Sequence, residues 1–359
     1  MTAKRKGYLE KKAAWQLKID QRNAELAVWD AQYPGWGTAS YVGPLLPVVR
    51  PRKLVFVFID ESYVNRNHSL GYTWFDPADT NGAAVFMVSG KGERLVLLTA
   101  ITEEFGLLNL EALDGDDGTL MIFQARKRTG DYHKNMNGAC FCTDWLTKKM
   151  IPALERQSIE AIFVMDNASY HLVPYPGSID VDIFPNKKAC TDLMDMYAIP
   201  YRAGIAPRGD TLDQLKQKTK DWLKINAHLQ NPPLIVGVTH VEQLCKEHRH
   251  HLLLTPPYHP ELQPIEKLWR NVKMFVAREY AGTRTMPELW QHVREAFVKY
   301  GAMEFCAKNV ADARFFEELY STEGAHVLSN FTLEVRVDVG TDDLFSEASD
   351  SSCSSDGED

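Results

Sequence analysis

Leu54-Val-Phe-Val-Phe-Ile59 is an unbroken apolar run of β-branched and aromatic side chains, and Asp60 follows it directly. Such a run without alternation reads as a strand buried on both faces, at the centre of a helix-covered sheet. A second run, Ala161-Ile-Phe-Val-Met165, is followed in the same way by Asp166. Two buried strands that each end on a carboxylate predict an α/β sheet with a site at the strands' carboxyl edge. A single Asp after a strand is usually a turn or cap residue; the repetition makes this pair a candidate site. Glu61 and Asn167 should point to the opposite face, which assigns them supporting roles rather than ligation. On that ground Glu61→Gln should spare most activity.

Working outward, residues 8–32 are rich in Lys, Glu, Ala and Leu and predict a helix that stops before Tyr33-Pro-Gly35. Pro34, Pro44, Pro47 and Pro51 mark an extended linker over residues 34–53. Ala83–Ser89 and Arg94–Ile101 flank Gly90-Lys-Gly-Glu93 and predict a hairpin, and Thr119–Gln124 a further short strand. Helical periodicity covers Cys140–Arg156 and returns near 187–197, 211–229 and 239–248. His251–Thr255 reads as a strand, Pro256–Gln263 as a Pro-rich loop and Pro264–Tyr280 as a helix, with helices near 286–300 and 302–320 beyond. The expected fold is a mixed α/β sheet with helices on its faces.

The composition is that of an ordinary globular chain: 359 residues, 45% hydrophobic and 25% charged, which excludes collagen-like and wholly disordered classes. No stretch approaches the roughly 18 apolar residues of a membrane helix, so no membrane partner is expected. Lys4, Arg5, Lys6, Lys11 and Lys12 have no apolar run behind them, unlike a secretory signal. Six cysteines without a paired framework suit a reducing, intracellular compartment. The net charge of −8 resides in eight acids after Val337, where there is no Lys or Arg, so the body before them is neutral. From about residue 340 the Ser/Asp/Glu composition reads as a disordered acidic tail.

A third carboxylate opens the helix at Gln263-Pro-Ile-Glu266. Pro264 suits a helix start, and an acid in the first turn favours the helix dipole, so Glu266 alone needs no functional reading. At helical spacing, however, Ile265, Leu268, Trp269, Val272 and Val276 form one core stripe, and Glu266, Arg270 and Lys273 share the strip beside it. Three gathered carboxylates repel one another unless cations lie between them. With oxygen ligands only, the natural ions are Mg²⁺ or Mn²⁺, and two such ions about 4 Å apart serve in-line attack on a phosphodiester.

Three motifs carry a family resemblance. Val57-Phe-Ile-Asp60-Glu-Ser62, Val164-Met-Asp166-Asn-Ala-Ser-Tyr-His171 and Pro256-Pro-Tyr-His-Pro-Glu-Leu-Gln-Pro-Ile-Glu266-Lys-Leu-Trp269 resemble the catalytic signatures of mariner-like DDE transposases. The likeness spans roughly residues 52–300, through Val64–His68, Trp74, Asp131–Met136 and Trp145. It implies a ribonuclease H-like fold over residues 52–325, a segment of N-terminal helix and linker over 1–51, and a C-terminal segment over 326–359. It also implies that Asp60, Asp166 and Glu266 are catalytic and bind two Mg²⁺ (or Mn²⁺) ions, with Asp60 bridging and His171 supporting. The implied activity is hydrolysis at transposon ends and joining of the freed 3′-hydroxyl to target DNA, in the nucleus, with DNA as partner and a homodimer in the DNA complex.

The departures are specific. Gln263 stands where the family usually has Asn, and His259 where many members have Ser. The spacing of 100 from Asp166 to Glu266 exceeds that of the best-known members, the excess falling in an insertion near 172–250. The roughly 50 residues ahead of the first strand are short for tandem helix-turn-helix modules. The alternative reading is therefore a domesticated, catalytically silent DNA- or chromatin-binding protein on the same fold. DNA-backbone contacts are expected from Arg126, Lys127, Arg128, Lys134, Lys148, Lys149, Arg270 and Lys273. Asp114–Gly118 lacks the ligands of a calcium loop and reads as a turn. Cys245, His248, His250 and His251 form a weak zinc candidate.

Overall fold

The computed structural model describes residues 3–35, 50–69, 91–110, 112–113, 115, 118–125, 136–204 and 209–322. Helix α1 spans Ala3–Gln32, β1 Lys53–Asn65, β2 Arg94–Thr102, β3 Gly106–Leu107 and β4 Met121–Gln124. Residues Ala139–Met150 wind as a π-helix that tightens into α2, Ile151–Arg156, ahead of β5, Ile159–Met165. Then come α3 Lys187–Met196, α4 Leu212–Asn226, α5 His240–His248, β6 His251–Leu254, α6 Ile265–Arg278, α7 Met286–Tyr300 and α8 Met303–Thr322. Among the described residues no helix is long and apolar enough to cross a membrane.

The protein is α/β, with a mixed open sheet flanked by helices. Its order is β3-β2-β1-β5-β6, with β4 also pairing β2. β1 runs antiparallel to β2 and parallel to β5, which is parallel to β6. The apolar run explains its own position. Leu54, Phe56 and Phe58 enter one core with α6, α7 and α8, while Val55, Val57 and Ile59 enter a second with the π-helix and α5. A strand covered on both faces has no polar side to alternate, and full burial of each such side chain contributes about 1.5–3 kcal/mol.

The expected strand at 54–59 is longer than its apolar run. β1 continues through Asp60 to Asn65, because β2 goes on pairing with it as far as Asn65↔Arg94. Asp60 is therefore inside a strand, two residues past the last parallel pair with β5, Phe58↔Val164. The helix expected at 8–32 begins five residues earlier, at Ala3. Its buried or half-buried positions 8, 12, 15, 19, 22, 26 and 29 alternate steps of four and three, the spacing of a packed seam. Lys12 and Arg22 occupy two of them: Lys12 meets Glu317 of α8, and Arg22 reaches Glu160 of β5. The insertion builds a separate small core from Cys190, Met194, Ile199 and Leu215. Its helices α4 and α5, like α7, start with reciprocal Thr–Gln or Thr–Glu capping boxes.

Glu160 fastens α1 to the sheet. It lies 2.9 Å from His251 Nε2 and 3.1 Å from Arg22 Nη1. The His251 contact, with Arg22 beside it, outweighs burial and holds the carboxyl at about 2. A carboxyl lowered by folding adds stability above its unfolded value near 4.5, and loses it as pH falls toward 2. Glu160→Gln should cost about 2 kcal/mol near neutral pH, with the difference closing in acid. Urea melts of both proteins at the two pH values check this; an equal gap in acid would show that charge is not the cause.

The first strand of the expected hairpin (Ala83–Ser89), most of the Pro-rich linker, Trp74, Arg126, Lys127, Arg128, residues 131–134 and the acidic tail lie outside the described residues.

Candidate active site

Pairing between β1 and β5 keeps one offset from Lys53↔Ile159 to Phe58↔Val164. Continuing that offset two residues sets Asp60 level with Asp166, which directly follows β5. In β1, Asp60 shares the face of Leu54, Phe56 and Phe58, the face on which α6 packs. Glu266 is the second residue of α6. One turn later Trp269 turns its indole to the sheet, and Nε1 donates to Asp60 Oδ2 at 2.9 Å. The head of α6 is thereby fastened to the strand that carries Asp60.

The acids share one electrostatic environment. Burial, then the charges of Glu266, Glu61 and Asp166, push Asp60 well above the usual carboxylate range, against the Trp269 hydrogen bond. Glu266, though its side chain is exposed at one side, is raised by desolvation from the protein around it, with Lys273 opposing and Glu61 and Asp166 adding. Burial lowers Lys273, while Glu266 and Asp60 favour its charged form. Lys273, seven residues along α6 from Glu266, is thus a cation that feels both of these acids. Arg270 is exposed on the same strip.

Asp166 is oriented from beneath the sheet. Its Oδ1 accepts from Ala168 N at 2.9 Å and meets His171 Nδ1 at 2.9 Å. His171 is fully buried, with Phe141 and Tyr170 ring centroids 4.3 and 4.6 Å away, and its Nε2 lies 3.5 Å from Glu61 Oε2. Burial opposes charge on the ring, but hydrogen bonds and charges from Asp166 and Glu61 outweigh it and raise His171 to about 9. Glu61 does lie on the opposite face, as strand alternation requires. Through His171 it nevertheless reaches Asp166, so it matters more to the site than its face suggests. Asn167 Nδ2 donates to Thr255 O at 2.8 Å, bracing the Asp166 turn against the end of β6.

Other expected contacts are not gathered here. Lys148 pairs with Asp144 at 2.6 Å, and Lys149 donates to Gly115 O at 2.7 Å; neither is among the charges that act on Asp60 and Glu266. Gly118 N donates to Gly115 O at 3.0 Å, the expected turn, with Asp114, Asp116 and Asp117 outside the described residues. The zinc candidates have separate partners: His248 takes Glu155, His251 takes Glu160, and His250 Nδ1 accepts from Ala161 N. Burial first, with Glu242 adding, pushes the Cys245 thiol up to about 12, so it is no thiolate. Among the described residues no three His, Cys, Asp or Glu side chains converge on a metal-sized point. Asp60 is turned to Trp269 and Asp166 to His171. In kind, the three carboxylates suit a hard divalent cation, whose charge would relieve the repulsion raising Asp60 and Glu266.

Trp269 as a donor to Asp60 was hidden, because helical spacing marks it only as core. The signal was its indole N–H, which needs an acceptor when buried. No protein-family model matches the chain, and no curated protein matches it.

Proposed function

We propose that the chain is a divalent-metal-dependent DNA endonuclease and strand-transfer enzyme of the DDE transposase type, on a ribonuclease H-like fold. Two observations support the reading: the β1–β5 register, which carried on two residues brings Asp60 to Asp166 just past β5, and the Trp269 hydrogen bond that fastens the helix of Glu266 to Asp60. Asp60 would be the shared ligand of two Mg²⁺ or Mn²⁺ ions, and Asp166 and Glu266 would each complete one. Bound there, the ions activate the attacking oxygen and stabilise charge at the phosphate. Trp269 fixes the orientation of Asp60, and His171 with Glu61 that of Asp166. Lys273, and Arg270 farther out, offer cations to the DNA backbone. The same reading assigns the protein to the nucleus, acting on DNA as a homodimer.

Nicking of supercoiled plasmid by the full chain, with Mg²⁺ or Mn²⁺, tests it. Glu266→Asp keeps the charge but draws the carboxylate back by one methylene, roughly 1.5 Å. Mg²⁺ tolerates little departure from octahedral geometry. Nicking by Glu266→Asp should therefore fall at least about tenfold with Mg²⁺ and recover in part with Mn²⁺. No nicking by the parent with either ion, and no change in its melting with Mn²⁺, would favour the silent DNA- or chromatin-binding alternative.

A further inference from the structure

We infer that Thr99 is a positioning residue for the Asp60 carboxylate, its hydroxyl a second donor, beside Trp269 Nε1, that orients this carboxylate when a divalent ion binds. The inference rests on the metal-site reading above. β2 is apolar and buried from Leu95 onward except at two threonines, Thr99 and Thr102. The Thr102 hydroxyl is satisfied: it donates to Gly106 O at 3.2 Å and accepts from Phe105 N at 3.0 Å. The Thr99 hydroxyl has zero exposure and no hydrogen-bond partner among the described residues.

Its place in the sheet says what it serves. In the antiparallel ladder Thr99 is the direct partner of Asp60. Directly opposed residues point to the same face, with Cβ atoms about 4.5–5.5 Å apart. Alternation agrees: Leu95, Leu97 and Ile101 enter the core on the α6 side, and Thr99 falls in their series. The hydroxyl thus lies across the ladder from a carboxylate that Trp269 holds through Oδ2.

A buried hydroxyl without a partner keeps its full desolvation cost, whereas valine has the same shape and none of that cost. Amid Leu97, Leu98, Ala100 and Ile101, valine would be the stabilising choice. The hydroxyl is accounted for by Asp60, the acid it opposes in the ladder. A Thr99 hydroxyl turned onto Asp60 would add a second donor beside Trp269 Nε1, and the carboxylate would lose less orientational freedom when a cation binds. Removal of such an outer partner typically weakens metal affinity by about 10–100-fold.

The test is Mn²⁺ titration of the full chain, read from the electron paramagnetic resonance of free Mn²⁺, beside thermal melting without metal. Thr99→Val should bind Mn²⁺ about tenfold more weakly while melting at the same or a higher temperature. Thr99→Ser, which restores the hydroxyl, should bind within about threefold of the parent. Equal affinity in Thr99→Val overturns the inference. So does an equal loss in both variants with lowered melting, which would mark Thr99 as packing alone. Asp60→Asn separates the two levels: if the parent binds Mn²⁺ through Asp60 and Thr99→Val does not weaken it, only Thr99 is refuted. If the parent binds no Mn²⁺, the metal site falls and this inference with it.

Discussion

Asp60→Asn should abolish metal-dependent nicking, by on the order of 10³-fold or more, and at the same time raise the melting temperature of the metal-free chain. The first effect follows from position: the β1–β5 register carried on two residues brings Asp60 to Asp166, and its strand is fastened to the helix of Glu266. A neutral amide there removes a charged ligand from both proposed ions, and a loss of 10³ corresponds to about 4 kcal/mol of barrier. The second follows from its surroundings. Burial and the charges of Glu266, Glu61 and Asp166 all act against an Asp60 carboxylate. Asparagine keeps the shape and an acceptor for Trp269 Nε1 while removing that repulsion. Plasmid nicking and differential scanning calorimetry read the two effects. Normal nicking by Asp60→Asn would refute the ligand assignment, and a lowered melting temperature would show that the Trp269 bond depends on the full carboxylate charge.

The sequence disclosed the site where apolar pattern and chemistry coincide in single residues. The run at 54–59 marks a central strand because both its faces are covered, and Ile265, Leu268, Trp269, Val272 and Val276 mark the buried face of α6 because no other arrangement hides them. Less could be read where a partner imposes the structure. Residues 61–65 mix polar and apolar side chains, and only pairing with β2 extends β1 through them. Helix α1 was legible as a helix but not as a packed one, since Lys12 and Arg22 fill seam positions and find their counter-charges on Glu317 and Glu160, far along the chain. Helical periodicity at 139–150 likewise does not distinguish an α-helix from the π-helix that forms there. The link from Glu61 through His171 to Asp166 crosses the sheet, and spacing within one strand carries no information about it.

Arg284→Met should destabilise the protein by about 3–5 kcal/mol, the largest stability loss expected from a single side chain near the site. Arg284 is 6% exposed and meets carbonyls rather than a carboxylate. Its Nη1 donates to Val276 O at 2.7 Å, its Nε to Arg66 O at 2.8 Å, and its Nη2 to His68 O at 2.9 Å and Asn65 O at 3.4 Å. Val276 lies in the last turn of α6, where helix carbonyls lack intrahelical donors, and the other three follow or end β1. One guanidinium therefore ties the far end of Glu266's helix to the far end of Asp60's strand. Burial, with Lys273 and Arg284 nearby, pushes His68 down to about 4, so its ring is neutral and adds no competing cation. Methionine fills the volume but removes the side-chain donor from the buried Val276 carbonyl and from the half-buried carbonyls of Arg66 and His68; Asn65 O keeps His68 N at 3.0 Å. Lysine at 284 should recover less than half of the loss, because an ammonium is a point charge and cannot span carbonyls on two elements. Urea unfolding of the parent and both variants decides the matter. A loss below about 1 kcal/mol in Arg284→Met would mean that water replaces the guanidinium and that β1 and α6 hold their relative position without it.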